Sequence, residues 1–212
     1  VQRLEMARTS TQKNVDKFYD DRKIDTLSQR DFKRMQDYAQ AILKKAPSND
    51  EAIVLLLYSG LVPVVRNDYA GMKIAGPKTN TGDGNWIVLK AGKPTHFIFN
   101  EYKTNKSHGT VEMEIPQELG KWLGRFIRSD KKKAGDVLLS VSESRVPHIL
   151  RKFGEKLFDK PIGINFLRKS YATVKWGDEI KQINELEKEI ERESEGMMNS
   201  VGKIKKVYNQ NK

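Results

Sequence analysis

Residues 51–69 read EAIVLLLYSGLVPVVRNDY, so that an apolar run is followed by a Gly-Leu-Val-Pro turn and then by Arg66. Ser48 and Glu51 form a capping-box pattern ahead of the apolar residues 52–58. A short run of this kind, apolar on every side, is typical of a helix that lies inside a core. The stretch therefore predicts a buried helix that ends just before Arg66.

The segment on the N-terminal side of this helix predicts a second, amphipathic helix. Ser28 with Asp31 is typical of a helix start, and Pro47 ends the pattern. Between them the apolar residues recur at helical spacing: Phe32, Met35, Tyr38, Ala39, Ile42 and Leu43. Residues 1–27 are polar, and we interpret them as an arm or linker ahead of a domain that covers residues 28–212.

On the C-terminal side, the character of the sequence changes from residue 86. Residues 86–89, 95–102 and 110–115 are rich in aromatic and β-branched side chains, and stretches typical of turns separate them. This pattern predicts a small, three-stranded antiparallel sheet, with residues 79–84 as a turn ahead of it. Lys103 then lies at the end of the second strand.

Four further segments predict helices, which makes the expected fold class α+β and mainly helical. They are residues 117–127, 146–158, 165–174 and 178–195. The last of them carries a narrow apolar stripe among charges, formed by Ile180, Ile183, Leu186 and Ile190. A narrow stripe suits a partner surface or a lid.

The charge of the chain favours an anionic partner. Its 212 residues include 39 Lys and Arg against 28 Asp and Glu, a net charge of +11, with an isoelectric point near 9.6. Nucleic acid is the first expectation. An anionic membrane surface is the second, and it is less favoured because no apolar run reaches transmembrane length. The absence of cysteine excludes disulfides, thiolate chemistry and Cys-based zinc sites. We expect an intracellular protein, in cytoplasm, nucleus or a virus factory, and not a secreted one.

Four residues in separate parts of the chain could together cleave a DNA phosphodiester. A tyrosine hydroxyl such as that of Tyr208 attacks phosphorus without a metal and stores the bond energy in a phosphotyrosyl link. Two guanidinium groups, from Arg66 and Arg168, stabilise the added negative charge of the transition state. Lys103 supplies a proton to the departing sugar oxygen. Taken singly, each residue has an ordinary explanation as a surface charge or a tail aromatic.

The same residues stand in segments that resemble the motifs of tyrosine recombinases. The segments are LYSGL at 57–61, VRNDY at 65–69, YKT at 102–104, NFLRKSY at 165–171 and MNS at 198–200. They are similar to the first arginine box, the hairpin lysine, the His-x-x-Arg box and the Gly-His-Ser motif that precedes the nucleophile by nine positions. The resemblance runs from about Ser28 to the C-terminus and is closest to integrases of virophages and large DNA viruses.

The resemblance implies a site-specific recombinase or integrase with a tyrosine-recombinase catalytic fold. Tyr208 would form a 3′-phosphotyrosyl intermediate, and strand exchange would follow. The catalytic set it implies is Arg66, Lys103, Asn165, Arg168, Asn199 and Tyr208, and we expect further DNA contacts from Lys106, His108, Lys169 and Lys203. A separate core-binding domain normally precedes this catalytic domain, and since Val1 is not an initiator Met, we expect the sequence to be a fragment.

Asn165 and Asn199 stand where the family usually has histidine, and this leaves alternatives open. Asparagine can donate a hydrogen bond to a phosphate oxygen, yet it cannot take up or release a proton near neutral pH. An active enzyme is the favoured interpretation, and a DNA-binding protein that has lost cleavage is the alternative. A type IB topoisomerase, which relaxes DNA without exchanging partners, is a third.

The expected partners follow from this chemistry. Double-stranded DNA is the substrate, and we expect a homo-oligomer on that DNA, with no membrane and no small-molecule substrate. The reaction needs no cofactor because the phosphotyrosyl link conserves the energy for rejoining. No His-x-x-x-His pair, phosphate-binding loop or dinucleotide fingerprint occurs in the sequence.

Overall fold

A computed structural model of the chain describes residues 26–47 and 49–196, with side chains described as far as residue 192. The chain divides into two compact units between Tyr171 and Ala172. About half of the described residues are helical, and a single four-stranded sheet completes the first unit. The α+β class expected from the sequence is therefore confirmed.

The elements follow one another in a simple order. They are α1 (Gln29–Leu43), α2 (Asp50–Tyr58), β1 (Lys73–Ala75), β2 (Asn85–Lys90), β3 (Lys93–Phe99), α3 (Asn105–His108), β4 (Val111–Glu114), α4 (Gln117–Ser129), α5 (Arg145–Phe158) and α6 (Ile164–Gly196).

The N-terminal helix α1 begins where the sequence predicts it. The Ser28 Oγ accepts a hydrogen bond of 3.0 Å from the backbone N–H of Asp31, which satisfies one of the free donors of the first turn. Its apolar face, with Phe32, Met35 and Ala39, is buried. The far end of the helix is held by α4, whose Trp122 donates through Nε1 to a carbonyl of the last turn at 3.1 Å.

Helix α2 forms the centre of the core, as predicted, although its cap is a different residue. Asn49, not Ser48, is the N-cap, and its Oδ1 accepts from the backbone N–H of Ala52 at 3.0 Å. Asparagine and serine cap equally well, so the local pattern did not distinguish them. Four residues of the helix have no exposed surface: Ile53, Val54, Leu56 and Leu57.

The sheet differs from the prediction in having four strands and mixed directions. Its order is β1-β2-β3-β4; β1 runs parallel to β2, and the other pairs are antiparallel. The prediction of three antiparallel strands was wrong because β1 has only three residues, too few to show an alternating pattern. Residues 79–84 consequently lie between β1 and β2, not ahead of the sheet.

The pairing of β2 with β3 defines the end of the sheet from which the connection to β4 leaves. Asn85, the first residue of β2, stands opposite Phe99, the last residue of β3. The predicted strand 95–102 was too long at this end, because the backbone N–H groups of Asn100 and Glu101 donate to the Asn85 side chain and not to a neighbouring strand. Lys103 therefore lies in the β3–β4 connection, not at the end of a strand as predicted.

Helix α6 is continuous, whereas the sequence predicted separate helices at 165–174 and 178–195. Gly177, which lies between them, keeps helical geometry, at a cost of about 1 kcal/mol relative to alanine that the neighbouring turns offset. In the second unit, Ile180, Ile183 and Leu186 are exposed by 49%, 55% and 57%. None of the described helices combines the length and apolar character that crossing a membrane requires.

Candidate functional site

Arg66 lies in the loop after α2, and its backbone is held by a contact with the buried core. The hydroxyl of the buried Tyr58 donates a hydrogen bond of 2.7 Å to the backbone carbonyl of Arg66. Three residues further on, the fully buried Tyr69 makes edge contacts with the rings of Tyr58, Phe97 and Phe99. The side chain of Arg66 is exposed above this aromatic cluster, so it is accessible to a ligand.

The two residues between Arg66 and Tyr69 are also held by long-range contacts. The Asn67 side-chain amide donates to the backbone carbonyl of Glu143 at 3.1 Å. The Asn85 side-chain amide donates to the backbone carbonyl of Asp68, also at 3.1 Å. Every residue of the segment from Arg66 to Tyr69 thus contacts another part of the fold, and the position of the arginine does not depend on loop propensity alone.

Arg168 is presented by the first turns of α6, which pack into the core. Leu167 and Ser170 have no exposed surface. The Ser170 Oγ accepts from the backbone N–H of Leu27 at 2.9 Å and donates to the backbone carbonyl of Phe166 at 2.9 Å. The helix is therefore fixed on both sides of Arg168, while Arg168 as a whole residue is only partly buried.

Arg66 and Arg168 lie within electrostatic range of each other. Burial lowers the pKa of the Arg168 guanidinium, and the positive charge of Arg66 lowers it further; Asp68 and Tyr58 act in the opposite direction. The fold therefore brings together two arginines that the sequence places far apart.

Asp68 is the counter-charge of this pair, but its single carboxyl group does not neutralise both arginines. Burial raises the pKa of its carboxyl group, although a hydrogen bond from the backbone N–H of Arg66 and the charges of both arginines oppose that rise. Burial and the Asp68 charge likewise raise the pKa of the Tyr58 hydroxyl, which keeps it a hydrogen-bond donor. One partly desolvated carboxylate faces two guanidinium groups, and the site carries excess positive charge.

Two buried polar atoms at this site, the Oδ1 of Asn67 and the Nε of Arg168, have no hydrogen-bond partner among the described residues. The Nε of Arg168 is buried, and no acceptor among the described residues lies within hydrogen-bonding distance. A buried donor without an acceptor is costly, by about 1–3 kcal/mol, and more when the group is charged. The arrangement suits an anion that would supply the missing acceptor.

Lys103 lies in the β3–β4 connection, which is adjacent to the Arg66 loop. The Asn85 Nδ2 that donates to Asp68 also donates to the backbone carbonyl of Glu101 at 2.9 Å. The two loops therefore approach each other at positions two residues from Arg66 and two residues from Lys103. The Lys103 side chain is exposed, with no hydrogen bond or ion pair to any described residue.

The remaining predicted residues of the described region lie on the surface. Asn165 is exposed on the first turn of α6, and Lys169 is exposed next to Arg168. Lys106 and His108 are exposed on the short helix α3, which follows Lys103. All four are accessible to a large ligand, and their roles remain predictions.

Three predicted residues lie outside the described part of the chain. They are Asn199, Lys203 and the proposed nucleophile Tyr208. Their placement relative to the two arginines is therefore a prediction of the sequence alone.

Tyr58, Asp68 and Asn85 belong to the site but were not singled out from the sequence. Asp68 stood in the quoted segment VRNDY, and an acid two residues after an arginine was the available signal. Tyr58 looked like one more apolar residue of a buried helix. Asn85 gave no signal, because its role depends on backbone atoms of two distant loops.

Comparison of the chain with protein-family models, with curated proteins and with solved structures finds no match. The functional conclusion therefore depends on the residues and their geometry. Among the described residues, no group of three or more His, Asp or Glu side chains is arranged to hold a metal ion.

Proposed function

We propose that this chain is the catalytic domain of a site-specific DNA recombinase of the tyrosine type, an integrase that exchanges DNA strands through Tyr208. The observation that carries the proposal is the electrostatic coupling of Arg66, Arg168 and the partly desolvated Asp68 carboxyl group, together with the buried Nε of Arg168, which lacks an acceptor among the described residues. Phosphate is an anion whose oxygen atoms the planar guanidinium group binds by paired hydrogen bonds.

The charge of the site favours the transition state over the ground state. A phosphodiester carries one negative charge, and the pentacoordinate transition state places more negative charge on the non-bridging oxygens. Two arginines opposed by a single carboxylate gain more from the second state than from the first. Bound DNA would also relieve the mutual effect by which Arg66 lowers the pKa of Arg168.

The proposed reaction proceeds in two displacements. The Tyr208 oxygen forms a bond to phosphorus while the bond from phosphorus to the 5′ oxygen breaks, which leaves a 3′-phosphotyrosyl link. Lys103 gives a proton to the departing 5′ oxygen, and the phenolic proton of Tyr208 passes to water. A 5′-hydroxyl from a second strand then attacks phosphorus and gives its proton to Lys103, while the bond from phosphorus to Tyr208 breaks and the phenolate takes a proton from water.

Asn165 and Asn199 stand where recombinases of this type usually have histidine, and this changes how the proton of Tyr208 is handled. Both can donate a hydrogen bond to a phosphate oxygen, but neither can accept the phenolic proton. Transfer of that proton to water is slower than transfer to a positioned base, by about 100-fold or more. A slow, single-turnover strand transfer is the activity that this composition favours.

The decisive experiment is covalent trapping on a nicked suicide substrate. DNA from the integration junction of the element that encodes the chain is nicked beside the scissile phosphate, so that the freed strand diffuses away. We expect a protein–DNA adduct with the wild type and with Tyr38→Phe, a control in α1, and none with Tyr208→Phe.

Other outcomes select the alternatives. Tight binding of that DNA without any adduct in the wild type would contradict the proposal and indicate a DNA-binding protein on this fold. Relaxation of supercoiled plasmid without sequence preference, again dependent on Tyr208, would indicate a type IB topoisomerase.

A further inference from the structure

Asn85 forms hydrogen bonds to both loops of the candidate site. It lies at the start of β2, opposite Phe99, and is partly buried. Its Nδ2 donates to the carbonyl of Asp68 at 3.1 Å and to the carbonyl of Glu101 at 2.9 Å. Its Oδ1 accepts from the backbone N–H groups of Asn100 and Glu101, both at 3.0 Å. The amide thus uses its full capacity of two donors and two acceptor positions.

The far side of the Lys103 connection is held by a second amide. The Asn100 Nδ2 donates to the carbonyls of Thr81 and Gly84, both at 2.7 Å. The Asn105 amide donates to the carbonyl of Asn100 at 2.8 Å, and Thr110 donates to the Asn100 Oδ1 at 2.8 Å. These contacts fix the turn and attach it to residues 81–84, and the hydrogen bonds of Asn85 link it directly to the Arg66 loop.

We propose that Asn85 is a positioning residue that fixes Lys103 relative to Arg66 for proton transfer to the leaving oxygen. This inference rests on the proposed function, because the role of Lys103 as proton donor comes from that proposal. An amide is required at this position because the site needs a donor toward Asp68 and an acceptor toward the turn at once. Aspartate retains the acceptor and loses the donor, and alanine loses both.

The chemistry of the leaving group separates a positioning role from a structural one. A general acid accelerates departure of a sugar alkoxide but contributes little to departure of a thiolate, because a thiol with a pKa of about 8.5 needs no proton to leave. A substrate whose bridging 5′ oxygen is replaced by sulfur therefore bypasses Lys103. Any defect that acts through Lys103 is rescued on this substrate, whereas a general loss of folding or DNA binding is not.

The experiment compares single-turnover cleavage of the two substrates by the wild type, Lys103→Ala, Asn85→Ala and Asn85→Asp. Asn80→Ala is the matched control, because its side-chain Oδ1 accepts from Gly82 at 3.0 Å within its own loop. A displacement of about 1 Å in a catalytic group costs about 100-fold. We expect Asn85→Ala to cleave the oxygen substrate about 100-fold more slowly than the wild type and the sulfur substrate within about threefold of it.

The outcomes divide cleanly. The same rescue in Lys103→Ala and Asn85→Ala, with Asn80→Ala unaffected on both substrates, supports the inference. Equal loss on both substrates, or no loss at all, overturns it while leaving the proposed function intact. Where Asn85→Ala fails to fold by circular dichroism, Asn85→Asp is judged by the same criteria. A wild type that cleaves neither substrate overturns the proposed function and this inference with it.

Discussion

The hydroxyl of Tyr58 donates a hydrogen bond of 2.7 Å to the backbone carbonyl of Arg66, and this bond joins the core helix α2 to the loop of the candidate site. Tyr58 is 1% exposed, and the hydrogen bond runs from this buried residue to the backbone of an exposed one. The geometry of Arg66 is therefore coupled to the packing of α2. A change in the core beneath the loop would be transmitted to the candidate site.

Replacing Tyr58 with phenylalanine should destabilise the protein by about 1 kcal/mol, because it removes one buried hydrogen bond while keeping the ring. Urea denaturation measures the loss. Tyr69→Phe is the control, since its hydroxyl makes a longer bond of 3.3 Å to the carbonyl of Pro63 and should cost less. Equal losses of stability in the two variants would show that the hydrogen bond to Arg66 contributes no more than the longer bond of Tyr69.

Under the proposed function, removing either arginine should abolish most of the strand cleavage. Arg66→Ala and Arg168→Ala are each expected to slow adduct formation on saturating DNA by about 100- to 1,000-fold, the usual effect of removing one transition-state donor. Arg168→Lys should recover little, because lysine lacks the planar fork. Rates come from quenched single-turnover reactions.

The control for the arginine variants is Arg151→Ala, an exposed arginine on α5. It removes the same charge from the protein and should leave the cleavage rate within about twofold of the wild type, since an exposed charge adds little beyond screened attraction. A similar loss in all three alanine variants would mean that net charge, and not the paired site, governs the reaction.

Gly60 should not tolerate a side chain. It has a φ of +86°, and a Cβ placed there would lie 2.6 Å from the Cζ of Phe32. Strain and overpacking together should make Gly60→Ala less stable by about 2–4 kcal/mol. Gly92→Ala has a similar φ of +75° with nothing within 4 Å, and should lose only about 1 kcal/mol. Thermal denaturation of both variants tests the contribution of the Phe32 contact.

Asp68→Asn should change how stability depends on pH. Because burial raises the pKa of Asp68 above its ordinary value of 3.8, the folded protein holds this proton more tightly than the unfolded chain does. The stability that this gives is complete at low pH and is lost as the pH rises through the raised pKa. The Asn variant should therefore gain stability relative to the wild type from about pH 4 upward.

Chemical denaturation between about pH 3 and pH 7 measures this difference. Asp83→Asn, which changes an exposed carboxylate, controls for the altered net charge. A difference between Asp68→Asn and the wild type that stays constant over this range would contradict the assigned effect of burial.

Much of the first unit followed from local patterns. The start of α1 at Ser28 and the buried helix before Arg66 were correctly predicted, because capping and the spacing of apolar residues are encoded in short stretches. Failures arose where a local pattern was too short or ambiguous. β1 has only three residues, and the sequence around α2 offered both Ser48 and Asn49 as caps, of which Asn49 is the N-cap.

The candidate site was predictable only as a set of residue types. Arg66, Lys103 and Arg168 could be chosen because phosphate chemistry calls for guanidinium and ammonium groups, and because their segments resemble the motifs of tyrosine recombinases. Their spatial relation could not be chosen, since it depends on packing between elements far apart in the sequence. Asn85 shows the limit most clearly, because all four of its hydrogen-bond partners are backbone atoms, which no side-chain motif can reveal.

The sequence by itself determined the α+β class, the buried helix α2, most of the other helices and the basic character of the chain, because these depend on composition and on periodicity along the backbone. Tertiary structure alone decided that β1 joins the sheet in parallel, that Arg66 and Arg168 share one electrostatic environment, and that Asn85 links the two loops. The physical reason is range: periodicity and capping act over a few residues, whereas desolvation and charge coupling arise only once distant segments have packed together.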